Sequence, residues 1–179
     1  MPRTFATAAA VFVAACAAPL LADDRVGEGK PEVIVINQME MPADAVWKHS
    51  FDAYDAQAGE VNATLRRALA FSKAMEREGV EAARVKIGIV VHGPSVFDVA
   101  SDARYVAKHD TGDADYAVNP NAQIVAELIE RGAEIWVCGV AAKHHGVGNA
   151  HLIEGVKMAP SGTVAHADLQ RRGFGLNAY

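Results

Sequence analysis

A helical rhythm is the clearest feature of the chain. From Asn62 to Glu78, Leu65, Leu69 and Met75, with Ala68 and Phe71 alongside, take one face, while Arg66, Arg67, Lys73 and Arg77 largely take the other. That alternation predicts an amphipathic helix lying on a core and stopped by Gly79. Asn121–Arg131 repeats the rhythm through Ile124, Val125, Leu128 and Ile129 and stops at Gly132. Short apolar runs with β-branched residues lie around these helices. Glu32–Asn37, Val85–Val91 and Glu134–Cys138 each read as a buried strand. Val85–Val91 runs into His92-Gly93-Pro94-Ser95, a sharp turn with Pro94 near the first position of a helix predicted over Ser95–Tyr105. Past Cys138, Gly139 turns the chain into a short helix near Val140–His145. A brief strand over Gly155–Met158, a helix over Ser161–Arg172 and an edge strand over Phe174–Ala178 close the chain. Two stretches lack a period. Met39–Glu60 carries Pro42, Trp47, Phe51 and Tyr54 and reads as a loop covering a site or a neighbouring subunit, and Lys108–Asn119 reads as a polar loop.

Strand and helix alternate throughout, which predicts an α/β fold: a doubly wound, mostly parallel five-stranded sheet with helices on both faces, of the flavodoxin-like class. Ligands in such sheets sit at the carboxyl ends of the strands. Here those ends are Asn37, His92-Gly93 and Cys138-Gly139.

The amino terminus is of another kind. Met1-Pro2-Arg3 is a short positive segment, Phe5–Leu21 has no charged residue, and Leu20-Leu21-Ala22 precedes Asp23-Asp24. This is the pattern of a cleavable secretory signal over residues 1–22, leaving one domain over residues 23–179 in the periplasm. Val13-Ala14-Ala15-Cys16 also resembles a lipoprotein cleavage site, but the apolar Ala17–Leu21 that follows argues against it. After residue 22 no run is long and apolar enough to span a bilayer.

Composition narrows the partners. The chain has 179 residues, 51% of them hydrophobic and 22% charged, which is the make-up of an ordinary folded domain. A formal net charge of -5 without a Lys/Arg cluster argues against nucleic acid and anionic lipid. The expected partner is therefore a small molecule or another protein.

Cleavage after Ala22 would remove Cys16 and leave Cys138 without an intrachain partner. An unpaired cysteine in an oxidising compartment is either buried and inert or kept for its chemistry. At a strand end before Gly139 and a helix start, the sulfur of Cys138 would face backbone N–H groups, which favours thiolate, and Lys143, His144 and His145 add positive potential. The competing reading is a core cysteine beside Trp136 and Val137. His92 and Gly93 form the second candidate: Gly93 would let backbone amides approach a ligand, and His92 could exchange a proton there. The ordinary β–α turn is the alternative. A soft metal site built from Cys138, His92, His144, His145 and His151 is a third possibility, without any recognised ligand spacing. No motif calls for a cofactor.

Several of these segments together carry a family resemblance. Val90-Val91-His92-Gly93, then Asn121 and Leu128, then Arg131-Gly132-Ala133-Glu134-Ile135-Trp136-Val137-Cys138-Gly139 resemble the DsrE/DsrF-like family. Gly146, Leu152-Ile153, Gly155-Val156-Lys157-Met158-Ala159, Leu169 and Arg172-Gly173-Phe174 agree with the family's closing pattern, so the likeness spans Val33–Tyr179. The resemblance implies a five-stranded α/β fold that assembles as trimers or hexamers. It implies that Cys138 carries sulfur as a persulfide between a donor and an acceptor thiol or protein, in a pocket lined by His92, Gly93, Gly139, Lys143 and His144. A ligand-binding or assembly subunit with a structural cysteine, and a Cys/His metal-binding protein, are the alternatives.

Overall fold

The strands expected from the apolar runs meet in one sheet, but the first of them is not the expected one. The computed structural model describes residues 34–42, 44–110 and 117–177, and the chain divides into two units, Met1–Gln38 and Met39–Tyr179. In the first unit, residues 34–38 form neither helix nor strand, and Ile34, Val35 and Ile36 are exposed. The strand expected over Glu32–Asn37 is therefore not found at the residues described. The proposed signal segment, its cleavage point, Glu32 and Val33 lie outside them.

The second unit holds the sheet. Its strands are β1 (Trp47–Ala53), β2 (Val85–Val91), β3 (Glu134–Cys138), β4 (Lys157–Ala159) and β5 (Gly175–Asn177). They run parallel in the order β4-β3-β2-β1-β5. The helices are α1 (Ala63–Arg77), α2 (Asp102–His109), α3 (Ala122–Glu130), α4 (Gly139–His145) and α5 (Gly162–Arg171). Every connection between successive strands passes through at least one helix, as parallel pairing requires.

β1 falls within the stretch expected to be a loop. Its sequence, Trp-Lys-His-Ser-Phe-Asp-Ala, mixes charge with aromatics and hides the strand. Phe51 and Ala53 are nevertheless core residues, and Ser50 is fully buried. The aromatics of this stretch thus have separate roles. Phe51 is core, Trp47 is partly buried against it, and Tyr54 is exposed.

The pleat divides the apolar residues between two cores. Ile87, Ile89 and Val91 of β2 join Ile135 and Val137 of β3 in the larger core, covered by Leu65, Ala68 and Met75 of α1, Val125 and Leu128 of α3 and Ala142 of α4. On the other face Val90 meets Ala165 and Leu169 of α5, with Phe174, Ala159 and Trp136 around them. Helices therefore cover both faces, as expected, with α5 alone on the second among the described residues.

The helix expected over Ser95–Tyr105 is interrupted. Gly93–Phe97 is a 3-10 turn, Ala100 pairs with Leu152 as an isolated antiparallel bridge, and α2 starts afterwards. The cause is a buried polar network that claims the backbone. Asn119 donates through Nδ2 to the carbonyls of Phe97, Asp98 and Ala100. Asn62 caps α1 through Oδ1 and donates through Nδ2 to Asp98 Oδ2 at 2.7 Å and Ser95 Oγ at 3.2 Å. Asn121 Oδ1 accepts from the Asn62 backbone N–H at 2.7 Å. These contacts join the entry to α1, the 3-10 turn and the entry to α3. Among the described residues no helix is long and apolar enough to cross a membrane.

Candidate functional site

Register brings the two leading candidates together. Val91 pairs with Val137, so the next residues, His92 and Cys138, leave adjacent strands side by side. Both follow residues that point into the larger core, and the pleat turns them toward α5. Asp52, opposite Val90 on β1, faces the same way.

These three side chains line a cleft of about 370 Å³ that is completed by Val140 and by Ser161, Gly162, Thr163 and His166 at the start of α5. Cys138 is buried, with 8% of its surface exposed. Its Sγ accepts the Ala141 N–H at 3.5 Å, so the cysteine itself caps α4. Gly162 lies so close that a Cβ there would stand 3.7 Å from the sulfur.

A wider depression of about 640 Å³ also reaches Cys138. It shares His92, Cys138 and Val140 with the cleft and adds Tyr54, Gly93, Pro94, Ala141, His144 and His145. Gly93 has φ +58°, and a Cβ there would meet the Tyr54 ring at 2.5 Å, so the turn needs glycine twice over. Burial, then the neighbouring positive charges of His144, Lys108 and Arg104, hold the His145 imidazole below its usual range.

The other expected site residues are placed differently. A Cβ on Gly139 would meet the carbonyl oxygen of Ala159 at 2.6 Å and that of Pro160 at 3.1 Å. Its part is to let the β3–α4 turn pack against the chain leaving β4. Lys143 is exposed on α4 and lines neither opening. His144 and His145 stack edge to face at 4.9 Å. His151 accepts the Gly148 N–H through Nδ1 and lines neither opening. Among the described residues no three His, Cys, Asp or Glu side chains are arranged to hold a metal ion.

The sequence reading missed Asp52 and His166. Asp52 Oδ1 lies 2.8 Å from His92 Nε2 and 3.0 Å from His166 Nε2. Asp52 was hidden with β1, and only the topology brings α5 across the ends of β1 to β3. Recognising Trp47–Ala53 as a strand would have placed Asp52 at a strand's carboxyl end.

No curated protein sequence matches the chain. Two solved structures are similar to it over 73% of its length. One is a protein of unknown function, MTH1491, from Methanobacterium thermoautotrophicum, with 19% identity, 97% of that chain covered and a TM-score of 0.48. The other is the ychN protein from E. coli, with 18% identity, 96% of that chain covered and a TM-score of 0.44. The sequence profile of the DsrE/DsrF-like family matches residues 52–176, from Asp52 in the cleft to β5. The chain belongs to the DsrE/DsrF-like family.

Proposed function

We propose that the protein accepts sulfane sulfur on Cys138 and holds it as a persulfide until an acceptor thiol removes it. Family membership suggests a sulfur-relay kind of role in general; the finer assignment rests on the site. The observation that carries it is the position of Cys138 in a cleft that it shares with Asp52, His92 and His166, with the Ala141 N–H directed at its sulfur. In the reaction, the Cys138 thiolate attacks the outer sulfur of a persulfide or polysulfide. A new S–S bond forms to Cys138, the donor's own S–S bond breaks, and the donor leaves as a thiolate. An acceptor thiolate then attacks the sulfur held on Cys138 and releases it in the same way. His92 lines this pocket, with Gly93 shaping its turn.

The low exposure of Cys138 favours the opposite reading, a core cysteine in a binding or assembly subunit. Native alkylation separates the two. Iodoacetamide is expected to label Cys138 in folded protein at a rate within about tenfold of that in denaturant, as a sulfur reachable through the cleft requires. Labelling that waits for global unfolding would remove the sulfur reading.

The proposal includes export and assembly: a mature chain beginning near Asp23, periplasmic, and associated as a trimer or hexamer. Exposed Tyr54 and Val140 beside the wider depression suit a covered surface. N-terminal sequencing and light scattering of exported protein test this. A start at a lipid-modified Cys16, or a monomer at micromolar concentration, would count against it.

A further inference from the structure

We propose that Asp52 is the positioning residue of this site, orienting His92 as the proton acceptor for Cys138, with His166 as a second clamp on the same carboxylate. The inference rests on Cys138 being a nucleophile, and it does not depend on the identity of its substrate.

The geometry carries the argument. Asp52 presents one oxygen, Oδ1, to two imidazoles, His92 Nε2 at 2.8 Å and His166 Nε2 at 3.0 Å. An ionised carboxylate only accepts hydrogen bonds, so each Nε2 carries its hydrogen and donates. This fixes the tautomer of both rings and leaves each Nδ1 with a lone pair when neutral.

The two rings then differ in surroundings. Nδ1 of His166 is buried without a hydrogen-bond partner among the described residues, so there this ring serves the carboxylate alone. His92 is partly exposed, stands beside Cys138 and lines both openings to the sulfur. Its ring meets Asp52 from β1 and Tyr54 at 5.1 Å between centroids, and His166 of α5 reaches it through the shared oxygen, while Cys138 leaves the neighbouring strand β3 at the same level. A carboxylate holding an imidazole that serves a nucleophile is the general logic of an activated thiol.

The step balances. The thiol proton passes to His92 Nδ1, and the thiolate attacks the outer donor sulfur. The S–S bond of the donor breaks, and the departing thiolate takes the proton back. Asp52 stabilises the imidazolium between those events and is not itself protonated.

The test is a double-mutant cycle on the rate of iodoacetamide alkylation of Cys138 in the folded protein, using Asp52→Ala, His92→Gln and the pair, with melting curves to confirm folding. Each single variant is expected to react at least about tenfold more slowly. The pair is expected to be no slower than the slower single, because Asp52 acts through His92. Asp52→Glu, which keeps a carboxylate beside His92, is expected to recover part of the rate that Asp52→Ala loses. Effects that multiply in the pair, or an Asp52→Ala rate equal to wild type, would overturn the proposal. If alkylation behaves as described but no sulfur is taken up, the sulfur reading falls and the relay stands. If native Cys138 does not alkylate, both fall.

Discussion

Replacing Asp98 with alanine is expected to destabilise the protein by roughly 2–3 kcal/mol at pH 4 and by much less at pH 8. Asp98 is 1% exposed. It receives the Asn62 amide at 2.7 Å and the Asn121 amide at 3.4 Å. Burial raises its carboxyl to about 6, more than the hydrogen bonds from Asn62 and Ser95 lower it. The sign follows from proton binding. Between the ordinary value of 3.8 and about 6 the folded state holds a proton that the unfolded state has released. Stability from this group is therefore complete below the ordinary value and falls as pH rises through the folded one. The loss amounts to about 3 kcal/mol.

At pH 4 alanine removes a protonated, hydrogen-bonded carboxyl and leaves a hole among buried amides. At pH 8 it also removes a charge that the wild-type protein holds at a cost, and the two effects offset one another. Urea unfolding of both proteins at the two pH values measures the difference. A penalty equal at both, or larger at pH 8, would mean that the network is anchored by the ionised carboxylate.

Most of the fold was legible because its periods are strong. Val85–Val91 and Glu134–Cys138 are buried runs whose bounds agree with β2 and β3, and the amphipathic rhythms gave α1 and α3 within a residue or two at each end. The failures share a cause. β1 carries Lys48, His49 and Asp52 because it meets the short β5 on one side and ends at the cleft, so its sequence lacks an apolar run. Ile34-Val35-Ile36 has the composition of a strand but is exposed and forms none, and it is β1 that pairs with β2. Pairing partners decide such cases, and a single sequence does not state them. The break before α2 likewise depends on Asn119, which lies well downstream of the residues it holds.

The site was half legible for the same reason. Cys138 and His92 end recognisable strands, so the rule that ligands sit at carboxyl ends finds them. Asp52 ends the strand that was hidden, and His166 lies on a helix whose face over the cleft is set by the sheet order. Gly139 was legible as a necessary glycine but not for its reason, because the contact with Ala159 and Pro160 is made across the sheet.

The most direct test of the account is the intact mass of the mature protein after exposure to polysulfide, wild type against Cys138→Ser. Serine keeps the size and the capping position beside Ala141 but has no sulfur to form the S–S bond. In a mature chain that begins near Asp23, Cys138 is the remaining cysteine, so an added mass has one place to reside. The account predicts that wild type gains the mass of one or more sulfur atoms and loses it on incubation with a reducing thiol, while Cys138→Ser gains none. Equal gain by both proteins, or no gain by a folded wild type, would contradict it.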